Sequence, residues 1–557
     1  MRKIILIVSI FIVIILGLLV RFWELGTIPP GLNRDEASIG YTAFSILKTG
    51  KDEYGTPLPI AIKSFGDWKL PLLIYFSIPF VAIFGLSDWS IRLLSSLAGI
   101  GTIIIIYFMA KFIFKSQRNP KIIAIISAIT LALLPWHIHF SRTAYEANLA
   151  LFFCSFATLS FLKGIKKPIW LIISCLLFSL TLYTYHAYQI FTPMFGTGLL
   201  LLYKKQVFVK KNTSILVFSF LLLSVLGIFL FFKTFSGNQT KSSISFINDP
   251  VFVYTNIELP RQNANNLIGK IIYNKPVIYS FTFIKNYLNS FSPNFLAIKG
   301  GQHPIHNFPG IANLFWFEYP LMIVGLYFLF KNFRNNQEVK IIILWLIIGP
   351  IASSITKDAP SSVRLSPLIV PFVLIIGLAS LRLFEWLKNY RSKYYLLTVS
   401  TLVVIVSMYF YFVSYFVNFP QLRANNWGAG YQKLTFFLNQ PDNIDKIVYF
   451  NYPNYSPYIY LLFYEKYDPT KYQSEAVRYS PTTDGFYHVK RFGRYQFIDN
   501  PALESVSENQ LLVLRADQIT DKQKNDLGEY LKTIIYDYGQ PIFYVFEGQK
   551  SLALLDW

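Results

Sequence analysis

The chain is short of cysteine, of charge and of acids in particular. Its 557 residues include two cysteines, Cys154 and Cys175, and both lie inside apolar runs. A disulfide framework and a cysteine metal centre are therefore excluded, and the pair reads as small buried side chains. Only 15% of residues are charged, and 30 acids face 51 Lys and Arg, giving a net charge of +21. No P-loop glycine pattern and no Gly-x-Gly-x-x-Gly is present, so neither of those nucleotide cradles is available. Internal repeats and low-complexity tracts are also missing. What fills the chain is apolar: 53% is hydrophobic, with 52 Phe and 37 Tyr. That is too apolar for a soluble protein of this size, and aromatics are what membrane interfaces collect. The surplus cations fall in short clusters between apolar runs. That is the bias of cytoplasmic membrane loops, so anionic lipid is expected as a neighbour and nucleic acid is not.

Apolar runs predict about eleven transmembrane helices, near 4–22, 91–114, 121–140, 147–163, 169–185, 189–203, 213–232, 314–330, 341–356, 366–384 and 395–416. The first follows Met1-Arg2-Lys3 and is not succeeded by a small-x-small cleavage site, so it reads as a retained span. The run Leu70–Gly85 is short and carries Pro71 and Pro79. Were it to cross, the clusters at Lys115/Arg118/Lys121, Lys163/Lys166/Lys167 and Lys204/Lys205/Lys210/Lys211 would face outward; lying along the interface, it turns them all cytoplasmic. The fold class expected is thus a polytopic α-helical membrane protein. A transmembrane domain (1–416) has external loops at 23–90, with interfacial helices, and at 233–313. A small extracytoplasmic soluble α/β domain (417–557) follows, with β-like runs at 446–450, 511–514 and 541–546 and a helix near 521–532. The chain is expected in the cell membrane as a multi-pass protein, with its N-terminus cytoplasmic and its C-terminal domain outside.

Ionisable residues recur on the predicted outer face. Asn33-Arg34-Asp35-Glu36-Ala37-Ser38 opens a helix just past the first span. Asn33 can cap it and Glu36 sits at the capping-box position, so favouring the helix start accounts for these acids as well as chemistry does. Further candidates are Asp67 and Lys69 in Phe65-Gly66-Asp67-Trp68-Lys69, Arg142 and Glu146, Tyr185 and His186 in Tyr183-Thr184-Tyr185-His186, and Arg364. Singly, each could equally be an interfacial anchor. Together they offer a base and several cations, the groups needed when charge builds on a departing phosphate.

The order of these elements resembles the GT-C membrane glycosyltransferases of the protein O-mannosyltransferase and aminoarabinose-transferase type (glycosyltransferase family 39). The shared features are Asp-Glu-Ala opening an external helix after the first span, Lys69-Leu70-Pro71-Leu72 beginning an interfacial helix that ends at Phe84-Gly85, and Arg92-Leu93 at the next span. They continue with Leu134-Pro135, Ser141-Arg142 and Glu146, with Phe291-Ser292-Pro293-Asn294 followed by Gly300-Gly301 and Pro309-Gly310, and with Arg364 before Pro367. The resemblance covers roughly residues 1–385.

It implies a polyprenyl-phosphate sugar as donor and a protein, lipid or glycan hydroxyl as acceptor. Asp35 is implied as catalytic base, with Glu36 beside it, and Glu146 stands in the second acidic position, usually Asp in relatives. Lys69, Arg364 and Arg142 would bind the donor phosphate, and Asp67, Tyr185 and His186 would line the substrate pocket. No cofactor is expected. A divalent metal is left open, because relatives that hold one have an acid immediately before the lysine and here Trp68 takes that place. His303-Pro304-Ile305-His306 has ligand-like spacing but reads better as incidental. The alternative function is a transporter or flippase of lipid-linked sugars, which should place ionisable groups at mid-membrane and show repeat symmetry. An oligosaccharyltransferase would carry Trp-Trp-Asp, which is missing.

Overall fold

A computed structural model describes the chain except residues 1, 66, 208–243, 265, 332–335, 388–392, 452–454, 483–485, 499–508 and 548–557. In order, α1 (Arg2–Phe22) leads to α2 (Arg34–Thr49), a hairpin of β1 (Ile62–Ser64) and β2 (Asp67–Lys69), α3 (Leu72–Phe84) and α4 (Asp88–Ile113). Then come α5 (Pro120–Leu133), α6 (Pro135–Ser141), α7 (Glu146–Gly164), α8 (Ile169–Leu182) and α9 (His186–Leu202). Apolar helices over Glu318–Lys331, Gln337–Ile348, Ile369–Leu387 and Lys393–Phe412 follow.

Among the described residues five helices are long and apolar enough to span a membrane: Asp88–Ile113, Glu146–Gly164, Gln337–Ser354, Ser366–Leu387 and Leu397–Asn426. The expected span 121–140 is corrected to a bent pair. Its two helices meet at 60° and would make a sixth crossing. The cause is Pro135, which opens α6 and lacks the N–H needed to continue α5. The span expected at 213–232 lies outside the described residues. α3 is 13 residues long, about 20 Å of helix against a hydrocarbon core of about 30 Å.

Two compact units divide the chain: 1–23 with 95–414, and 24–94 with 415–557. This division differs from the 1–416 and 417–557 partition, because residues 24–94 group with the C-terminal region.

In the helical unit, small and hydroxyl residues let backbones approach. A Cβ on Gly99 of α4 would meet the Ser141 Cβ at 2.5 Å. Ser95 and Ser96 donate to the carbonyls of Phe140 and Ser141, and the Asn148 amide donates to the Ser95 carbonyl. Such contacts stand in for hydrophobic driving force between membrane helices. At the α5–α6 break the last carbonyls of α5 are satisfied from α1. Arg21 donates to Ala132 O at 2.9 Å and Leu131 O at 3.3 Å, and it also contacts Gly17 O at 3.3 Å and His137 Nδ1 at 2.7 Å.

The second unit is built on a seven-stranded sheet of β3 (Ile447–Asn451), β4 (Val477–Arg478), β5 (Val489–Phe492), β6 (Tyr495–Ile498), β7 (Gln510–Arg515), β8 (Leu531–Asp537) and β9 (Gln540–Glu547), in the order β4-β5-β6-β3-β7-β9-β8. β3 pairs parallel with β6 and β7, and the other pairs are antiparallel. β3, β7 and β9 match the three expected runs to within a residue or so. The helix expected over 521–532 stops at Asp526. The β-branched run Thr533-Ile534-Ile535 instead forms β8, joined to β9 by Tyr538-Gly539, both at positive φ as a tight hairpin turn requires.

Candidate active site

In the sheet-bearing unit, the start of α2 is fixed twice over. Asn33 Oδ1 accepts from the backbone N–H of Asp35 and Glu36, and Glu36 Oε2 accepts from Asn33 N at 3.1 Å, a complete capping box. The Glu36 carboxylate is also ion-paired with Arg92, Nε to Oε1 at 3.1 Å, with both side chains sealed from solvent. Arg92 further donates to the carbonyls of Leu25, Pro29 and Gly31. Buried charges persist only when paired and hydrogen-bonded in this way. Both Glu36 oxygens are engaged and the side chain is sealed from solvent, an arrangement that holds the helix start.

The neighbouring acid is placed differently. Asp35 has a side chain 54% exposed, and its Oδ1 lies 2.7 Å from Lys69 Nζ, whose side chain is only 8% exposed. Lys69 ends β2, opposite Ile62, so the hairpin carries the cation to the first turn of α2. Asp67 begins the same strand, and its side chain lies outside the described residues. Ser38 of α2 and Ser64 of β1 share a hydrogen bond of 2.6 Å that ties hairpin to helix.

Deeper in this unit lies an acid that the sequence did not flag. Glu53 is buried, its Oε1 accepts from the Tyr458 hydroxyl at 3.1 Å, and its Oε2 has no hydrogen-bond partner. Burial raises its pKa to about 7, against the opposing pull of Arg478, the Tyr458 hydrogen bond and Lys69. Arg478 lies over the Tyr54 ring at 4.3 Å.

In the helical unit, Arg364 follows the loop after Ile351–Ser354. Its Nη1 lies 2.5 and 2.6 Å from the two oxygens of Asp358. Burial works to raise the Asp358 pKa, but the charge and hydrogen bond of Arg364 outweigh it and hold the carboxyl below its usual range. Tyr185, in the turn between α8 and α9, has its hydroxyl pKa raised by burial, opposed by Arg364 and reinforced by Glu146 and Asp358. The structure thus brings Arg364, Tyr185 and Glu146 into one electrostatic neighbourhood, with Asp358 as a member the sequence reading passed over. His186 opens α9 and contacts Gln189 Oε1 through Nδ1 at 3.1 Å. Arg142 is fully buried and donates to the Val20 carbonyl at 2.7 Å, an anchor for the end of α1. The His303 and His306 rings stack 4.3 Å apart, and His306 meets the Tyr145 ring edge-on.

Among the described residues, no three His, Cys, Asp or Glu side chains are grouped to hold a metal ion. Trp68 precedes Lys69, and the Asp35 carboxylate faces an ammonium.

Residues 69–232 match the family model for dolichyl-phosphate-mannose-protein mannosyltransferase. The protein named "Putative mannosyltransferase YycA" of Bacillus subtilis is 28% identical over 162 residues, which span 29% of this chain and 23% of that protein. ArnT from Cupriavidus metallidurans, solved bound to undecaprenyl phosphate, superposes with a TM-score of 0.53 at 11% identity, covering 98% of both chains. The oligosaccharyltransferase AglB from Archaeoglobus fulgidus, solved with an inhibitory peptide and a dolichol-phosphate, gives 0.50 at 13% identity over 83% of this chain and 64% of its own. Apolar spans, a C-terminal sheet unit and these superpositions together give the chain the fold of the GT-C membrane glycosyltransferases.

Proposed function

We propose that the chain is a glycosyltransferase that moves a sugar from a polyprenyl-phosphate donor to an acceptor hydroxyl at the outer face of the cytoplasmic membrane, with inversion at the anomeric carbon. The observation that carries the reading is the Lys69–Asp35 pair, a buried ammonium 2.7 Å from an exposed carboxylate. Support comes from the matched mannosyltransferase model and from solved relatives that hold lipid phosphates. The transporter reading draws nothing from a mannosyltransferase family and an oligosaccharyltransferase. In this reading about eleven spans cross the membrane, the N-terminus is cytoplasmic, α3 lies along the interface, and the sheet-bearing unit is external.

The chemistry needs one base and neutralised phosphate. Asp35 takes the proton of the acceptor hydroxyl, whose oxygen attacks the anomeric carbon. The bond from that carbon to the phosphate oxygen breaks on the opposite face, and the polyprenyl phosphate departs with the bonding electrons. Lys69 stabilises the charge that builds on the phosphate. In the free protein Lys69 pairs with Asp35, and a donor phosphate that draws the ammonium away frees the carboxylate to take the acceptor's proton.

The test is to incubate the purified protein with a panel of polyprenyl-phosphate sugars and measure release of the lipid phosphate. Release by the native chain, lost in Asp35→Asn, supports the assignment. Turnover retained in that variant removes Asp35 as base.

A further inference from the structure

Two short helices of the helical unit, Leu267–Ile272 and Lys275–Asn289, turn their apolar side chains outward. Each starts from a capped turn: Asn266 Oδ1 accepts from Gly269 N at 2.6 Å, and Asn274 Oδ1 from Val277 N at 2.9 Å. The first helix holds Leu267, Ile268, Ile271 and Ile272 at 74%, 67%, 58% and 45% exposure. The second holds Val277, Phe281, Ile284 and Leu288 at 43%, 65%, 55% and 62%. Their i, i+4, i+7, i+11 spacing gathers these four on one narrow stripe.

Other faces fasten the second helix. Asn286 Nδ2 donates to the carbonyls of Ser354 at 3.1 Å and Thr356 at 3.4 Å, and the Tyr287 hydroxyl donates to Ile347 O at 2.8 Å. Ile347 and Ser354 belong to Gln337–Ser354, an apolar helix long enough to span a membrane, and the Ile347 side chain is itself 54% exposed. The stripe is thus pinned where a span ends, next to apolar surface of that span. Charge follows the same boundary. From Leu259 to Phe317 the chain carries Arg261, Lys270, Lys275, Lys285 and Lys299, all exposed, and no acid.

We infer that Leu267–Ile272 and Lys275–Asn289 form a membrane-surface element, its apolar side chains sunk at the headgroup boundary of the adjoining leaflet and its cations on anionic glycerophospholipid headgroups. An apolar stripe flanked by lysines is how a helix lies in the plane of a bilayer. Left in water, the same side chains would make an apolar patch of a kind that folded proteins rarely expose without a partner. A second copy of the chain is a poorer partner, because a twofold contact through this face sets the same cations against one another. Lipid phosphates supply the opposite charge, and acyl chains take the stripe. The inference goes beyond the transferase reading and does not rest on it, since it concerns how the helical unit meets lipid.

The experiment uses the full-length protein in nanodiscs of mixed phosphatidylcholine and phosphatidylglycerol. Phe281→Cys, or Leu288→Cys as a second probe of the same stripe, is labelled with an environment-sensitive fluorophore in a Cys175→Ala background, Cys154 being buried. Emission should be quenched by nitroxide-labelled lipid and shielded from aqueous iodide. Quenching by iodide alone would place the stripe in water, and shielding from both quenchers would place protein over it; either result overturns the assignment. Labelled phosphatidylglycerol should quench more strongly than labelled phosphatidylcholine, and Lys285→Gln should reduce that preference by up to about fivefold, the worth of one cation at an anionic surface. Equal quenching by the two lipids in the native sequence, or a preference unchanged when Lys270, Lys275 and Lys285 are all replaced by glutamine, overturns the anionic partner. These readouts need neither sugar donor nor acceptor, so their failure leaves the transferase reading standing.

Discussion

Each of the two units carries a cation–carboxylate pair of the same design, and a third pair in the sheet-bearing unit is built in the opposite way. Lys69 with Asp35 and Arg364 with Asp358 both join a largely buried cation to an acid that reaches solvent, 54% and 43% exposed respectively. Glu36 with Arg92 is closed on both sides. The first kind can exchange its acid for an incoming anion at small cost, because the acid returns to water. The second kind cannot, since opening it strands a charge in a dry interior. Exposure of the acid, more than presence of the pair, separates a pair that can open from one that cannot.

The sharpest way to break this contrast is Asp35→Asn. Turnover should fall about 10²–10⁴-fold, the usual worth of a general base, with little change in melting temperature; a large loss of stability would make the pair structural after all. Next is Glu36→Ala, which leaves the Arg92 guanidinium buried without its acid. Thermal unfolding in detergent should show a loss of about 3–5 kcal/mol, and an unaltered melting curve would show that the closed pair is dispensable.

Glu53 extends the test to an acid with no cation of its own at bonding distance. Its folded pKa of about 7 lies above the ordinary 4.5, so between those values the folded state holds a proton that the unfolded chain has lost. Stability should therefore decline as pH rises from about 4.5 to about 7 and stay lower above, by on the order of 3 kcal/mol. Glu53→Gln should remove that slope, raising the melting temperature at pH 8 and leaving it unchanged at pH 4. An identical slope in the variant would assign the titration elsewhere. The smallest effect is expected for Arg364→Lys, which keeps the charge but loses the planar fork. The donor KM should rise about tenfold, and a change confined to kcat would separate Arg364 from donor binding.

Much of this was legible in residues that act locally. Asn33-x-x-Glu36 announces its cap, and the apolar runs announce their helices. The strands of the C-terminal region follow from short β-branched and aromatic runs. The rest depends on partners far along the chain. Nothing in the spacing pairs Lys69 with Asp35; a hairpin does. Nothing in the spacing pairs Glu36 with Arg92 either, 56 positions on. Asp358 was passed over because a lone acid in a turn has no pattern. Glu53 had a weak signal, an Asp-Glu followed by Tyr-Gly, but its burial is made by Tyr458, some 400 positions away. The helix expected near 521–532 ran two residues into β8, and pairing with β9 decides that boundary.

The break between α5 and α6 has its own implication. In a lipid environment no water is at hand to receive carbonyls released by a proline, so the bend at Pro135 is tolerable only while Arg21 reaches across to Leu131 and Ala132. The two residues are then mutually dependent across more than a hundred positions. A lineage that lost the arginine would be pressed to lose the proline too, and Arg21→Leu should be rescued, at least in part, by Pro135→Ala.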